Sequence, residues 1–343
     1  MDKILITGGL GYIGSHTIIE IIRQTNWEVV SVDNCVNSST EAIKNIEAIT
    51  HKKIVNHQID LCDLTATREV FRKEENISGI IHFAALKSVP DSVANPVQYY
   101  HNNMNALFNV LRCCKEFGVP HFIFSSSCSI YGNVAQLPVD ETTPFGHAES
   151  PYAATKQMGE RVLEDYANVN DDLQIIALRY FNPVGADATG LNGENPINPP
   201  TALVPYITQT AVGIFPKLTV FGNDYNTRDG SCIRDYIHVT DLALAHINAL
   251  QFLLKGKNEL NYDTINIGSG QGVTVLEAVK EFIEVSGVEL NYEIGPRRAG
   301  DVEAIYSNSE KALKLLGWKP QLGIREMMDS AWKWQQHLEA EKV

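Results

Sequence analysis

The stretch Ile4-Leu5-Ile6-Thr7-Gly8-Gly9-Leu10-Gly11-Tyr12-Ile13-Gly14-Ser15 decides the fold of this chain. It joins a short apolar run to glycines in the spacing GxGxxG and then to a helix that starts near Ser15. The glycines let the backbone approach a pyrophosphate closely, and the free N–H groups at the start of the helix attract its negative charge. Asp33 ends the next apolar run about 20 residues later, where dinucleotide-binding folds place an acidic residue. The sequence therefore predicts a dinucleotide site.

The residues around Asp33 favour NAD over NADP. A carboxylate at this position accepts hydrogen bonds from the ribose hydroxyls of the adenosine and repels a 2′-phosphate. The next five residues, Asn34 to Ser38, include no arginine that could bind such a phosphate. Asp60 and Leu61 follow the third apolar run and are placed to contact the adenine, although Asp60 could instead cap a helix.

Short apolar runs alternate with amphipathic segments through the first half of the chain, as in βαβ units. The predicted strands are residues 4–6, 29–32, 54–59, 80–83, 121–124 and 174–178, and the predicted helices are residues 15–24, 97–117 and 152–168. We expect an α/β fold with a Rossmann-type doubly wound parallel sheet at residues 1–181, extended by segments near 236–268. Residues 182–343, which begin with a cluster of Gly, Pro and Asn, should form mainly a smaller mixed α/β substrate domain. Residues 324–337 form an amphipathic helix that should pack against the protein itself.

The composition argues against several classes of partner. The 343 residues carry a formal net charge of −13, and no stretch supplies the basic patch that nucleic acid or an anionic membrane requires. No apolar run approaches the ~20 residues of a membrane span, and the first residues do not resemble a signal peptide. The six cysteines show neither CxxC spacing nor a cluster with histidines. These features predict a cytoplasmic protein with reduced thiols and no metal site.

A tyrosine and a lysine four residues apart, Tyr152 and Lys156, are the first candidate catalytic pair. Helical spacing places them on one face, and Pro151 suits the first turn of that helix. A free tyrosine has a pKa of about 10, so its phenolate is disfavoured by about 4 kcal/mol at pH 7. A neighbouring ammonium and a cationic nicotinamide both favour the phenolate, and Tyr152 could then act as a general base.

A run of serines supplies the third candidate group. Phe122-Ile123-Phe124-Ser125-Ser126-Ser127 carries an apolar strand into polar residues, and ligands bind at the carboxyl ends of strands in open α/β sheets. Ser127 could hydrogen-bond both the reacting hydroxyl and the phenol. The alternatives are that Ser127 is a helix cap and that Tyr152 and Lys156 form a pair on a helix surface.

With these motifs in order, the chain resembles the UDP-glucose 4-epimerases (UDP-galactose 4-epimerases) of the extended short-chain dehydrogenase/reductase superfamily, over essentially its full length. The matching stretches are residues 7–16, 82–87, 99–103, 124–127, 150–152 with Lys156, 179–186, 221–225, 234–239, 296–298, and Gly300 with Asp301.

The resemblance implies a function for each set of site residues. The implied catalytic set is Ser127, Tyr152 and Lys156. The implied NAD site comprises Gly8, Gly11, Tyr12, Ile13, Gly14, Asp33, Asn34, Ser38, Asp60, Leu61, Phe83, Ala84, Lys87, Asn102 and Tyr180. The implied sugar-nucleotide site comprises Ser127, Tyr152, Asn182, Leu203, Phe221, Arg234, Arg298, Asp301 and Ile305. Arginines suit such a site because their planar fork binds phosphate in a bidentate manner. The resemblance also implies a homodimer paired through helices near Val97–Phe117 and Tyr152–Asn168.

Two positions depart from the family pattern. Most relatives carry Asn-Leu where this chain has Ala202-Leu203, so a side-chain contact to the nucleotide is missing. The position of Ile305 limits the room beside carbon 2 of the sugar: a bulky Tyr there goes with plain hexoses, and small residues go with N-acetylated ones. Ile305 is intermediate in size, which leaves activity on UDP-GlcNAc and UDP-GalNAc open.

The resemblance implies a three-step cycle on a UDP-sugar. Tyr152 takes the proton of the 4-hydroxyl as hydride leaves carbon 4 for NAD, the 4-keto sugar turns over, and hydride returns to its other face. NAD is regenerated in every turn and should be held tightly. A 4,6-dehydratase is disfavoured because those enzymes carry Asp-Glu where this chain has Cys128-Ser129. The remaining alternatives are a C4-epimerase of UDP-glucuronate or a UDP-pentose, and a non-catalytic NAD-binding scaffold.

Overall fold

The fold is known from a computed structural model that describes residues 1–298 and 301–342; Gly300 of the family motif lies outside these residues. The strands are β1 (Lys3–Thr7), β2 (Glu28–Val32), β3 (Val55–His57), β4 (Ile77–His82), β5 (His121–Ser127), β6 (Gln174–Tyr180), β7 (Asn182–Val184), β8 (Leu218–Phe221), β9 (Ile233–His238), β10 (Tyr262–Ile267), β11 (Gly272–Thr274), β12 (Tyr292–Gly295) and β13 (Ala304–Ile305). The helices are α1 (Tyr12–Gln24), α2 (Glu41–Thr50), α3 (Leu64–Lys73), α4 (Val89–Ala94), α5 (Pro96–Phe117), α6 (Pro151–Ala167), α7 (Leu203–Ala211), α8 (Val239–Leu254), α9 (Val275–Ser286), α10 (Glu310–Leu316) and α11 (Ile324–Ala340).

A central sheet of seven parallel strands organises the first half of the chain. Its order is β10-β6-β5-β4-β1-β2-β3. Ile4, Leu5 and Ile6 of β1 are fully buried, because helices cover both faces of a parallel sheet and its strands read as continuous apolar runs. The predicted Rossmann-type, doubly wound sheet is confirmed.

Two apolar layers hold the helices against this sheet. On one face, α1 and α8 pack over the sheet with buried residues such as Ile18 and Leu250. On the other face, α3, α5 and α6 contribute residues such as Phe71, Leu107 and Leu163. The strands end together at one edge, so the loops that follow β1, β2, β4, β5 and β6 share that edge.

A smaller mixed unit follows β6. Strands β7, β9, β11 and β13 form one sheet with parallel and antiparallel pairs, and β8 and β12 form a two-stranded parallel sheet. Helices α7, α9 and α11 pack around a third apolar cluster that includes Ile207, Phe282 and Met328. The predicted smaller α/β part is therefore present, and the predicted C-terminal helix packs as expected.

The segments near residues 236–268 divide between the two units. Strand β10 joins the edge of the first sheet beside β6, and α8 packs against α1, both as expected. Tyr236 instead lies in β9, which pairs with β7 in the smaller sheet, so the extension of the first sheet is wrong for this strand. Within the part of the chain that the structure describes, no helix has both the length and the apolar character needed to cross a bilayer.

Candidate active site

The loop between β1 and α1 has the close packing that its glycines predict. Gly8 has a φ of +69°, and a Cβ there would lie 2.8 Å from the amide nitrogen of Ala84. A Cβ on Gly14 would collide with the carbonyl oxygen of Gly8. Gly11 is the N-cap of α1, and no side chain caps this helix end. The first-turn amides of α1, at Tyr12 and Ile13, therefore have neither an intrahelical nor a capping acceptor and suit an anionic group.

Asp33 ties this loop to the end of β2. Its carboxylate accepts hydrogen bonds from the Leu10 amide at 3.0 Å, the Cys35 amide at 2.9 Å and the Ser38 hydroxyl at 2.7 Å. A carboxylate offers about four acceptor positions, so it retains capacity for a ribose hydroxyl. Asn34 turns instead to its own loop, where it accepts from the Val36 amide at 3.0 Å.

The ends of β3 and β4 supply the next group of predicted residues. Asp60 accepts from the Cys62 amide at 2.9 Å, whereas Asp63 is the N-cap of α3; the alternative that Asp60 caps a helix is wrong. Leu61 is buried beneath this turn. Phe83 follows β4, and its ring centroid lies 4.6 Å from that of His246.

Lys87 reaches across the glycine loop. Its ammonium lies 2.9 Å from a carboxylate oxygen of Glu194 and 5.9 Å from the ring centroid of Tyr12. Tyr12 itself donates to the carbonyl oxygen of Gly185 at 2.6 Å. The loop that carries Lys87 is fixed by Asn103, whose amide oxygen accepts from the Leu86 amide at 2.8 Å. The structure therefore brings Lys87 and Tyr12 together.

Asn103 is the better-anchored member of its pair with Asn102. Its side-chain amide donates to the Leu86 carbonyl oxygen and to the Thr155 hydroxyl, both at 3.1 Å. Asn102 is half-buried and donates to Asn103 at 3.1 Å. Sequence reasoning named Asn102 alone, and the adjacent amide in the same motif was the available signal for Asn103.

The serine run is the carboxyl end of β5, the strand between β4 and β6. Ser127 is opposite Tyr180 in the register of β5 and β6. Its hydroxyl oxygen accepts from the Ser129 amide at 3.2 Å and caps a short 3₁₀ turn, Cys128–Tyr131. Ser127 is therefore a cap, as the alternative predicted. The cap uses the hydroxyl oxygen as an acceptor, so the hydroxyl proton can still be donated to another group.

Helix α6 carries Tyr152 and Lys156 into the same region. Ser150 caps the helix through the Ala153 amide at 3.2 Å, and Pro151 lies in its first turn as predicted. Lys156 is only 5% exposed, and its ammonium donates to the Ser125 carbonyl oxygen at 2.7 Å. The alternative of a pair on a helix surface is therefore wrong. The ammonium lies 5.8 Å from the ring centroid of Tyr152.

Burial dominates the electrostatics of this pair. It raises the pKa of Tyr152 to about 12, against the lowering effect of a hydrogen bond from Ser127. It lowers the pKa of Lys156 to about 8, against the raising effect of the Glu160 carboxylate. The side chains of the protein by themselves therefore keep the phenol protonated at pH 7, and further positive charge is required to ionise it.

A second cluster lies where β8, β9 and the residues before β13 meet. Arg298 donates to the Asp301 carboxylate at 2.8 Å, and Arg234 approaches the same oxygen at 3.5 Å. The guanidinium of Arg298 lies 5.5 Å from the ring centroid of Phe221. Four of the residues implied for the sugar nucleotide are thus neighbours.

The other implied substrate residues lie around this cluster. Asn182 begins β7 and is opposite Tyr236 of β9. Leu203 is the first residue of α7, and Ala202 is its N-cap without a side-chain hydrogen bond. Ile305 pairs with Arg234 and is buried in an apolar cluster with Tyr131 and other residues near the 3₁₀ turn.

Sequence reasoning missed two buried groups beside the serine strand. Glu160 is 2% exposed and forms an ion pair with Arg179 at 2.7 Å. His82 hydrogen-bonds the Thr7 hydroxyl at 2.8 Å, and burial together with Lys156 lowers its pKa to about 3. The signal for Glu160 was its position one helical turn after Lys156, and the signal for His82 was its place at the start of the matching stretch 82–87.

The parallel sheet, the glycine loop after its first strand and the Ser-Tyr-Lys set together define an extended short-chain dehydrogenase/reductase. The family model described as GDP-mannose 4,6 dehydratase matches residues 5–331.

Individual relatives specify the family. The chain is 46% identical to the UDP-glucose 4-epimerase of Erwinia amylovora, covering 97% of each chain, and 44% identical to that of Bacillus subtilis, covering 97% of this chain and 96% of the relative. A crystal structure of UDP-glucose-4-epimerase from Stenotrophomonas maltophila, with bound NAD and formylated UDP-arabinopyranose, superposes with a TM-score of 0.95 at 41% identity over 99% of this chain and 100% of that one. The chain belongs to the UDP-glucose 4-epimerase family.

Proposed function

We propose that this protein interconverts UDP-glucose and UDP-galactose by NAD-dependent epimerisation at carbon 4. The observation that carries the proposal is the convergence of Ser127, Tyr152 and Lys156 at the carboxyl end of β5, in a sheet whose first loop is built for a dinucleotide. The relative from Stenotrophomonas, which holds NAD and a UDP-sugar, has the same fold over nearly the whole chain.

The residues fit NAD. The first turn of α1 offers backbone amides to a pyrophosphate, and a Cβ on Gly8 or Gly14 would collide with the backbone of Ala84 or of Gly8 and so distort the loop that presents these amides. Asp33 is held by Leu10 and Ser38 in a position to accept from a ribose hydroxyl, and residues 34–38 contain no arginine for a 2′-phosphate. When bound, NAD accepts a hydride from carbon 4 of the sugar and returns it.

The protein groups manage the proton on the 4-hydroxyl. Tyr152 acts as the base that takes this proton and later returns it, and Ser127 donates its hydroxyl proton to the same oxygen. Lys156 supplies a buried positive charge beside the phenol and is oriented by Ser125. The pKa of about 12 already reflects the presence of Lys156, so the phenol needs further positive charge, which an oxidised nicotinamide would supply when bound, in order to act near pH 7.

The two arginines hold the sugar nucleotide by its diphosphate. Arg234 is itself anchored, since it donates to the carbonyl oxygens of Ile233 and Val302 at 2.8 Å. Arg298 is half-exposed and pairs with Asp301, so it can exchange this partner for a phosphate. A diphosphate fixed at this end leaves the 4-keto sugar able to turn and present its other face.

Neither a 4,6-dehydratase nor a non-catalytic scaffold has support at the site. The two residues after Ser127 are Cys128 and Ser129 in the 3₁₀ turn, so the carboxyl pair of a 4,6-dehydratase is missing there. A non-catalytic scaffold has no need for a lysine buried against the serine strand. The sugar preference depends on Ile305, and we propose that its intermediate size admits UDP-GlcNAc and UDP-GalNAc as secondary substrates. A panel of these UDP-sugars, together with UDP-glucuronate and a UDP-pentose, measures this preference directly.

Replacement of Tyr152 by phenylalanine tests the proposed base. Wild type should convert UDP-galactose to UDP-glucose, and Tyr152→Phe should lower kcat by about 10²–10⁴-fold because the proton acceptor is lost. NAD bound per chain should be unchanged, since the ring remains. Turnover close to wild type in this variant would refute the role of Tyr152.

We further propose that the chain divides functionally after residue 181, at the junction of β6 and β7, and that it acts in the cytoplasm as a homodimer. A row of exposed apolar side chains along α4 and α5 supports the dimer: Val89, Val93, Val97 and Tyr100. The charge of −13 is consistent with a small-molecule substrate and argues against nucleic-acid and membrane partners.

A further inference from the structure

A second carboxylate lies behind the catalytic set. Glu160 follows Lys156 by one turn of α6 and is 2% exposed. Its carboxylate accepts from Arg179 at 2.7 and 3.0 Å, from the Tyr262 hydroxyl at 3.3 Å, and from the Ser126 hydroxyl. The carboxylate thus accepts five hydrogen bonds in all. Burying a charge costs free energy of desolvation, and the catalytic steps described above do not use Glu160.

Lys156 and Glu160 engage consecutive residues of one strand. The ammonium donates to Ser125, whose hydroxyl oxygen is also 3.3 Å away, while the carboxylate accepts from Ser126. Both groups are therefore fixed to the end of β5, immediately before Ser127. Strand β5 and helix α6 therefore fix the Lys156 ammonium and the Glu160 carboxylate beside the two residues that precede Ser127.

The cation that pairs with Glu160 has further partners of its own. Arg179 donates to the Tyr131 hydroxyl at 3.2 Å and to the Glu141 carbonyl oxygen at 3.3 Å. Its guanidinium also lies 5.5 Å from the ring centroid of Tyr131 and 5.4 Å from that of Phe145. These contacts hold the guanidinium of Arg179 beside Tyr131 and Phe145. Arg179 belongs to β6, whereas Glu160 lies on the same helix, α6, as Lys156.

We propose that Glu160 is a positioning residue for the epimerase reaction: its buried negative charge keeps Lys156 in the ammonium form beside Tyr152. The inference rests on the proposed function. Burial penalises the ammonium, and an opposite charge nearby offsets this penalty. Because a neutral Lys156 could not favour the phenolate, loss of Glu160 would reduce the fraction of protein in which Tyr152 can act as a base.

The other ionisable groups around this pair do not supply the same charge. His82 faces Lys156 from β4, and its pKa of about 3 leaves it neutral near pH 7. The remaining ionisable groups that interact with Lys156, Tyr152, Glu160 or Arg179 are Cys128, Tyr131, Glu141, Tyr180 and Tyr262, and Glu164 acts on Tyr262. Among the described residues, the raising effect on the pKa of Lys156 comes from Glu160.

The test compares pH profiles of purified holoenzyme. Glu160→Gln should move the alkaline fall of kcat to lower pH by about one unit, because less negative charge favours the neutral amine. At a pH near 8, kcat should fall about fivefold, because the ammonium fraction falls from about one half to about one tenth, with less than a twofold change in KM for UDP-galactose. A pH titration of ¹³C-labelled lysine by NMR, with the Lys156 signal assigned by Lys156→Arg, should show the same shift without reference to turnover.

Two further variants separate this role from a structural one. The double variant Glu160→Gln, Arg179→Met removes both buried charges; it should recover thermal stability relative to Glu160→Gln and keep the shifted profile. Asp187→Asn removes another buried carboxylate that pairs with an arginine, at 2.6 Å, away from the catalytic set. It should lower stability and leave the pH profile unchanged.

The outcomes distinguish the two proposals. If wild type fails to convert any UDP-sugar, the proposed function is refuted, and the NMR titration still decides whether Glu160 controls Lys156. If wild type converts UDP-galactose but the profiles of wild type and Glu160→Gln coincide, the positioning role is overturned. An equal shift in Asp187→Asn, or recovery of the profile in the double variant, would overturn it as well.

Discussion

Asp33 holds its own loop together, and we propose that the same carboxylate binds the cofactor. It holds the glycine loop through Leu10 and the turn after β2 through Ser38, and it faces the position expected for the cofactor ribose. Asp33→Asn replaces one acceptor oxygen by a donor, so a hydrogen bond of the loop or of the ribose must be lost. We expect the Kd for NAD to rise at least about tenfold, since bonds to charged groups contribute about 1.5–3 kcal/mol.

Isothermal titration of apo protein with NAD and NADP measures this effect. The matched control is Asp63→Asn, which keeps a favourable N-cap on α3 outside the proposed site. An unchanged Kd in Asp33→Asn would show that this carboxylate does not bind the cofactor.

Single residues also show what local sequence can convey. The lysine at helical spacing from Tyr152 was found from the sequence, but its burial and its bond to Ser125 depend on where β5 lies against α6. Asp60 and Asp63 both suit a cap, and only the start of α3 decides between them. Glu160 was missed because a lone glutamate on a helix usually faces solvent.

At the scale of elements, helix α7 lacks a capping side chain. Ala202 has the extended backbone of an N-cap, with φ −82° and ψ 146°, but no side-chain oxygen for the first-turn amides. Ala202→Asn introduces the residue that the family resemblance implies at this position and should stabilise the protein by about 1 kcal/mol. For a chain of this size the thermal midpoint should rise by about 2 °C. Ala202→Val, which cannot cap, is the control, and equal midpoints for both variants would contradict the cap.

A buried ion pair joins α1 to the segment after β7. Asp187 is 1% exposed and pairs with Arg23 of α1 at 2.6 Å. Burial tends to raise the pKa of Asp187, but its hydrogen bonds with Arg23 and Thr189 outweigh burial, so the net pKa is lowered. A lowered folded-state pKa stabilises the protein above the unfolded pKa of about 3.9, and this contribution is lost as the pH falls further.

Asp187→Asn should therefore cost about 2 kcal/mol in the free energy of unfolding near pH 7. Urea unfolding of wild type and Asp187→Asn should give the same difference in the free energy of unfolding near pH 5, and a smaller difference below about pH 4. The partly exposed pair of Lys217 and Glu293 provides a control, because Glu293→Gln should change the free energy of unfolding little at any of these pH values. A difference for Asp187→Asn that stays constant down to pH 3 would contradict the pairing.

The elements that sequence predicted well are those with strong local patterns. Strands β1, β2, β5 and β6 and helices α5 and α6 lie within a few residues of the predicted ranges. Strand β9 was assigned to the wrong sheet, because its partners β7, β11 and β13 lie far from it along the chain. Apolar alternation predicts that a strand is half-buried and cannot tell which sheet it joins.

At the scale of the whole molecule, an acidic surface must coexist with a site for an anionic substrate. The chain carries 41 acidic and 28 basic side chains. Arg234 and Arg298 converge beside Asp301, and Lys87 lies over the glycine loop. Three cationic side chains thus lie among the residues that we propose to bind NAD and the sugar nucleotide, in a chain whose formal net charge is −13, and such local positive charge favours anionic ligands.

The apolar row along α4 and α5 gives the last prediction. Val97 is 79% exposed and Val93 is 61% exposed, and such a row on a helical surface favours association with a second copy. Analytical ultracentrifugation should show wild type at twice the 38.1 kDa mass of the chain. Val97→Glu should shift the protein to monomer, because two charges would be buried unpaired across a two-fold interface. Leu260→Glu, at a site that is 61% exposed and outside this row, should remain dimeric; a dimer that persists in Val97→Glu would place the interface elsewhere.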